Sequence, residues 1–177
     1  VKPLLFSLAG KDFLQNYDKH LSKSGVCSRV VIDKNRFTAN FYGISDAKNE
    51  QIGIWQPNAY EEFEHTALRD KCTKNELENV RMAIFSPGTP QSTFRHMIEL
   101  RKHSPLATIF FDPGQMVTSY TKRLFLICIA LSDIVIVNDV EYAQAGKVLG
   151  KNLTKLCKES RKVLIVTRGS KGSEIFA

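Results

Sequence analysis

The chain has 177 residues, 43% hydrophobic and 24% charged, which suits one globular domain with at most a small appendage and excludes collagen-like and disordered classes. Its 25 Lys and Arg outnumber 18 Asp and Glu, so the net +7 favours anionic ligands, but these bases are scattered as solvated helix faces ("DKHLSK", "RDKCTK", "KNLTKLCKESRK") and no nucleic-acid partner is expected. Cys27, Cys72, Cys128 and Cys157 form no CxxC pair, no His lies at metal-ligand spacing and no apolar run reaches bilayer length, so the expectation is a cytoplasmic protein with reduced thiols and no membrane association.

The first apolar run, "PLLFSLA", reads as a strand. Val26 to Trp55 then shows period-two stretches and a polar turn, "SDAKNEQ", with no helix between them, and reads as an antiparallel flap. Along "FTANFYG", Thr38, Asn40 and Tyr42 share one face while Phe37, Ala39 and Phe41 share the other. Asn40 and Tyr42 are the candidates for contact with a bound substrate. The expected division is an α/β core from residues 1–25 and 56–177 and a β lid over residues 26–55.

Beyond the flap, "RMAIFS", "ATIFFD", "DIVIVN" and "KVLIVT" alternate with helical segments, and "SEIFA" closes the series. In "TPQSTFRHMIELRKHS", Thr89 caps, Pro90 suits the first turn, and Phe94, Met97, Ile98 and Arg101 follow at helical spacing. "TSYTKRLFLICIAL" and "VEYAQAGKVLG" read similarly. Strands that are apolar throughout fit a sheet covered on both faces. The fold class is therefore α/β, a parallel sheet with crossover helices.

Ligands of open α/β sheets bind beyond the carboxyl ends of the strands, where these runs end in Ser86, Asp112, Asn138 and Thr167. "TRGSKGS" is neither a Walker A loop nor part of a GxGxxG fingerprint, and on its own it reads as a hairpin into "SEIFA" or as a phosphate-binding turn. Asn138 and Glu141 also carry two readings. A carboxylate and an amide there suit Mg²⁺ and a phosphate, and the same spacing suits a capping box.

The ordered set "GKDF", the flap, "FDPGQ", "NDVEY" and "VTRGSKGS" resembles the PfkB, or ribokinase-like, family of carbohydrate and nucleoside kinases over nearly the whole chain. The resemblance implies a ribokinase-like core with a small antiparallel lid, opened by a strand and helix over Leu4–Val26. It implies transfer of the ATP γ-phosphoryl group to a hydroxymethyl of a sugar or nucleoside, with Mg²⁺. The matched positions assign Glu141 to magnesium and its water, Asn138 to phosphates, and Thr167, Gly169 and Gly172 to the nucleotide. "FDPGQ" is most similar to the nucleoside-kinase-like branch, and the family's lid implies a homo-oligomer through the lid or an open sheet edge.

Two family segments are absent from the 177 residues: an opening Gly-Gly substrate segment, and the Gly-Ala-Gly-Asp helix start that supplies the anion hole and the catalytic Asp. Asp112 lies at a strand tip, but nothing identifies it as a replacement base. The expectation is a truncated kinase core without its base, so no catalytic residue is assigned. The alternative is a non-catalytic nucleotide-binding or interaction module.

Overall fold

The computed structural model describes residues 2–47 and 51–177; Lys48, Asn49 and Glu50 of the expected polar turn lie outside the described residues. The chain forms two compact units, residues 1–72 and 73–177. In the first, β1 (Leu4–Gly10) is followed by the short helices α1 (Phe13–Asn16) and α2 (Asp18–Lys23) and by β2 (Cys27–Asp33). β2 pairs parallel with β1, from Leu4↔Cys27 to Gly10↔Asp33. A parallel pair needs a crossover longer than a hairpin turn, and the two helices supply it.

This pairing corrects the reading of Val26–Trp55 as one antiparallel flap. Among the described residues of this segment, antiparallel pairing joins only β3 (Asn40–Ser45) and β4 (Gln51–Gln56), in register from Asn40↔Gln56 to Ser45↔Gln51. Period-two alternation reports which side chains share a face, and it carries no information on the direction of the neighbouring strand. β1 is covered on both sides. Leu8 packs with Ala59 and Phe63 of a 3-10 segment, Asn58–His65, while Ala9, pointing the opposite way, packs with Phe13 of α1 and Val30 of β2.

The second unit runs α3 (Lys74–Glu78), β5 (Met82–Phe85), α4 (Pro90–His103), β6 (Thr108–Phe111), α5 (Lys122–Leu131), β7 (Ile134–Asn138), α6 (Asp139–Leu149), α7 (Leu153–Glu159), β8 (Val163–Thr167) and β9 (Ser173–Phe176). α4 starts as its sequence dictates: the Thr89 hydroxyl accepts the Ser92 N–H at 3.2 Å, and Pro90 occupies the first turn. The sheet order is β5-β6-β7-β8-β9, parallel through β8, with β9 antiparallel at one edge.

Successive strands step across the sheet in one direction, so right-handed crossovers bring their helices to one face. Ile109, Phe111, Val135, Val137, Leu164 and Val166 on that face are fully buried. On the other face Phe110, Ile134, Ile136, Val163 and Ile165 are half-buried, and Met82, Ile84 and Ile175 are exposed. The helices of this unit thus lie over one face of the five strands. Among the described residues no helix is long and apolar enough to cross a membrane.

Candidate active-site cleft

Parallel strands in neighbouring register bring their carboxyl ends together. β7 and β8 pair through to Asn138↔Thr167, and β6 ends beside them at Phe111↔Val135, one residue before Asp112. Between these tips lies a cleft of about 280 Å³, lined by Asp112, Gly114 and Gln115 after β6, Asn138 and Glu141 at the start of α6, and Thr167 at the end of β8.

Asn138 is the N-cap of α6. Its Oδ1 accepts the Glu141 N–H at 2.8 Å, and Glu141 Oε2 accepts the Asn138 N–H at 2.8 Å. The pair is therefore a reciprocal capping box, which satisfies two backbone donors that the first helical turn leaves unpaired. The box and a ligand site are compatible. It engages Asn138 Oδ1 and fixes the Glu141 carboxylate at the cleft wall, where the Asn138 backbone and side chain both bond to it.

Asp112 is the second carboxylate of the cleft, its Oδ1 accepting the Gly114 N–H at 3.0 Å. Burial pushes its carboxyl above the ordinary range, against the opposing effect of that hydrogen bond. The Glu141 carboxyl is raised too, first by burial and further by the negative charge of Asp112. A carboxylate raised by the charge of a second one in a half-buried cleft marks a place where positive charge is favourable.

The sequence-derived residues divide by location. Asn138, Glu141 and Thr167 meet in the cleft. Gly169 and Gly172, at φ of 54° and 85°, shape the turn that joins β8 to β9, closed by the Arg168 N–H on the Gly172 carbonyl at 2.8 Å. Nothing lies within 4 Å of a Cβ built at either glycine, so backbone conformation, not crowding, is what they provide. Asn40 and Tyr42 share one face of the β3–β4 hairpin in the first unit. Within "FDPGQ" the sequence marks Asp112 as a strand tip and carries no separate signal for Gln115. The signal that links Asp112 to Glu141 is the adjacency of β6 and β7, which no local pattern encodes.

Polar strand tips and a carboxylate pair at the carboxyl end of a parallel α/β sheet lie where open α/β folds bind their ligands. The model of the pfkB family carbohydrate kinases matches residues 1–177, and the chain belongs to that family. The nucleoside kinase of Methanocaldococcus jannaschii is 25% identical over 174 residues, which cover 97% of this chain and 54% of that protein. Its solved structure, an archaeal member of the ribokinase family, matches with a TM-score of 0.82 at 22% identity, covering 98% of this chain and 55% of that one. The Burkholderia thailandensis nucleoside kinase in complex with inosine also gives 0.82, at 24% identity over 98% of this chain and 56% of that one. The same enzyme in its ADP-inosine complex gives 0.81. The fold is therefore ribokinase-like. The chain spans about half the length of the relatives it matches.

Proposed function

We propose that the cleft is the phosphate and magnesium side of a kinase site that transfers the γ-phosphoryl group of ATP to a hydroxymethyl group, most closely that of a nucleoside. The observation that carries this reading is the meeting of Asp112, Asn138, Glu141 and Thr167 at the carboxyl ends of three adjacent strands. Mg²⁺ takes oxygen ligands and is commonly held by one or two carboxylates together with phosphate oxygens and water. Asp112 and Glu141 fit that donor set. Phosphate oxygens and water would complete the coordination.

When bound, the cation offsets the charge that builds on the transferred phosphoryl group. Asn138 Nδ2 donates to a phosphate oxygen, while Thr167 and the Gly169–Gly172 turn border the nucleotide. The β3–β4 hairpin is the substrate lid, with Asn40 and Tyr42 as its contacts.

Calorimetry with ADP, with and without Mg²⁺, tests the reading. Glu141→Gln is the informative variant because Gln also serves in a capping box, so the helix start is kept while the charge is removed. The expected result is Mg²⁺-dependent ADP binding that loses its Mg²⁺ dependence in Glu141→Gln without a fall in thermal stability. Thr167→Ala should weaken ADP by about tenfold, the worth of one hydrogen bond to a charged group. Absence of ADP binding at millimolar ligand would overturn the proposal.

The raised carboxyls add a pH signature. A carboxyl whose pKa is raised on folding contributes stability below its unfolded value and loses it as pH rises through the folded value. The ligand-free chain is therefore burdened by this pair near neutrality, and Mg²⁺ relieves the burden. The gain in thermal midpoint on adding Mg²⁺ and ADP should be larger near neutral pH than in mild acid, and it should flatten in Glu141→Gln.

A further inference from the structure

Asp12 occupies the N-cap of α1, where an aspartate ordinarily accepts from the first free helix N–H groups, yet its side chain makes no capping bond. Its Oδ1 accepts instead from Thr38, 26 residues on, taking the backbone N–H at 2.8 Å and the hydroxyl at 2.9 Å. The Thr38 hydroxyl oxygen accepts the Gly10 N–H at 3.0 Å. Gly10 is what permits so close an approach, because a Cβ there would stand 2.1 Å from the Phe37 carbonyl carbon and 2.3 Å from Thr38 N.

The Thr38 carbonyl is engaged as well. It accepts the side-chain amide of Asn40, the first residue of β3, at 3.0 Å and that of Asn58, just past β4, at 3.1 Å. Asn58 holds φ at 47°, a backbone region that Asn enters more readily than most residues. Next to this node the Lys11 N–H bonds the Arg36 carbonyl at 2.9 Å, and the Ala59 N–H bonds the Phe37 carbonyl at 3.0 Å. The first residue of β3 and Asn58, two residues past the end of β4, thus both bond to the carbonyl of Thr38, which Asp12 ties to the end of β1. Burial of Asp12 opposes its charge, but the two Thr38 donors, with the Asp12 backbone N–H and the charge of Lys11, together hold the carboxyl below the ordinary range.

We propose that Asp12 is a positioning residue: its latch on Thr38 sets the angle at which the β3–β4 hairpin leaves β1, and through that angle it sets how well substrate is captured. The second half of this statement rests on the reading of the hairpin as a substrate lid. A helix-capping role is excluded by the missing cap bond. The latch also accounts for three residue choices at once, the bare Gly10, the carboxylate of Asp12 and the β-hydroxyl of Thr38, which no local element of the unit requires.

Amide hydrogen exchange on the ligand-free chain tests the latch, with Asp12→Ala, Thr38→Val and Thr38→Ser as variants. Asp12→Ala and Thr38→Val should speed exchange over Phe41–Ser45 and Ile52–Gln56 by about tenfold or more and leave β6 to β8 unchanged. Thr38→Ser keeps both donors and should behave as the parent chain. Calorimetry with inosine and with Mg²⁺-ADP supplies the second readout: inosine binding weakens in step with the faster exchange, and ADP binding does not move. Hairpin exchange that is unaltered in both Asp12→Ala and Thr38→Val overturns the latch. Faster hairpin exchange with unaltered inosine binding supports the latch and overturns the lid reading, so the two failures are separable.

Discussion

Gly114 shows how tightly single residues are fitted in the cleft. It sits two residues past the β6 tip at φ of 51°, and an added Cβ would stand 2.3 Å from Pro87 Cγ and 3.1 Å from Pro87 Cβ. Both residues line the cleft, so the space between the β5 and β6 tips accommodates the proline ring only because residue 114 lacks a side chain. Gly114→Ala therefore meets two penalties, a left-handed backbone position and a steric overlap, with an expected cost of about 1–3 kcal/mol by urea denaturation. Pro87→Ala removes the nearest atom of the overlap and leaves the backbone penalty in place. The double variant Pro87→Ala/Gly114→Ala should thus be more stable than the sum of its single changes indicates. Costs additive within about 0.5 kcal/mol would show that the two residues do not press on each other.

Arg101 holds secondary-structure elements together in the second unit. From the last turn of α4 its Nε and Nη2 donate to the Leu131 carbonyl at the end of α5, at 3.0 and 2.8 Å. Nη1 reaches the carbonyls of Pro105 and Ala107 before β6, at 3.0 and 2.6 Å, and Nη2 meets Asp133 Oδ2, just before β7, at 2.6 Å. Asp133 Oδ2 also takes the Ile109 N–H at 2.8 Å. Burial alone would raise the Asp133 carboxyl, but the Ile109 N–H and the guanidinium outweigh it and hold it low. Arg101→Met should cost about 2 kcal/mol, less than breaking a fully buried pair because 43% of the Asp133 side chain stays exposed. A carboxyl lowered on folding adds stability above its unfolded pKa and loses it as pH falls through the folded one. The deficit of Asp133→Asn in thermal midpoint should accordingly shrink in strong acid; a deficit constant with pH would exclude the charge as its cause. These contacts mark where sequence stops being legible. β5 to β9 and the start of α4 follow from apolar runs and from the Thr89-Pro90 cap, and Asn138 with Glu141 is legible as a helix start. The parallel pairing of β2 is not, because alternation over Cys27–Asp33 reads the same beside a parallel or an antiparallel neighbour, and the helices of its crossover are short and polar. The Asp112–Glu141 proximity and the Arg101 clasp depend on strand order, which is a property of the sheet and not of any segment.

At the scale of the whole molecule, apolar surface favours contact with a second copy and net charge opposes it. On the hairpin Phe41, Tyr42, Ile44, Ile52, Ile54 and Trp55 are exposed, and the Phe41 ring lies so close to Gly53 that a Cβ there would stand 2.8 Å from it. β5, at one edge of the five-stranded sheet, exposes Met82 and Ile84. Two-stranded hairpins are marginal alone in water, and covering one large apolar side chain is worth roughly 1.5–3 kcal/mol. We propose that the chain self-associates through the hairpin or the β5 edge. Phe41→Glu or Trp55→Glu should shift it towards monomer or aggregate if the hairpin is the contact, and Met82→Lys should do so if the edge is. The net +7 repels a second copy, so added salt screens the repulsion and should strengthen an association held by apolar burial. An association held by ion pairs would weaken instead. Light scattering over a concentration and salt series separates these outcomes, and a stable monomer at high micromolar concentration with the hairpin resistant to proteolysis would contradict the proposal.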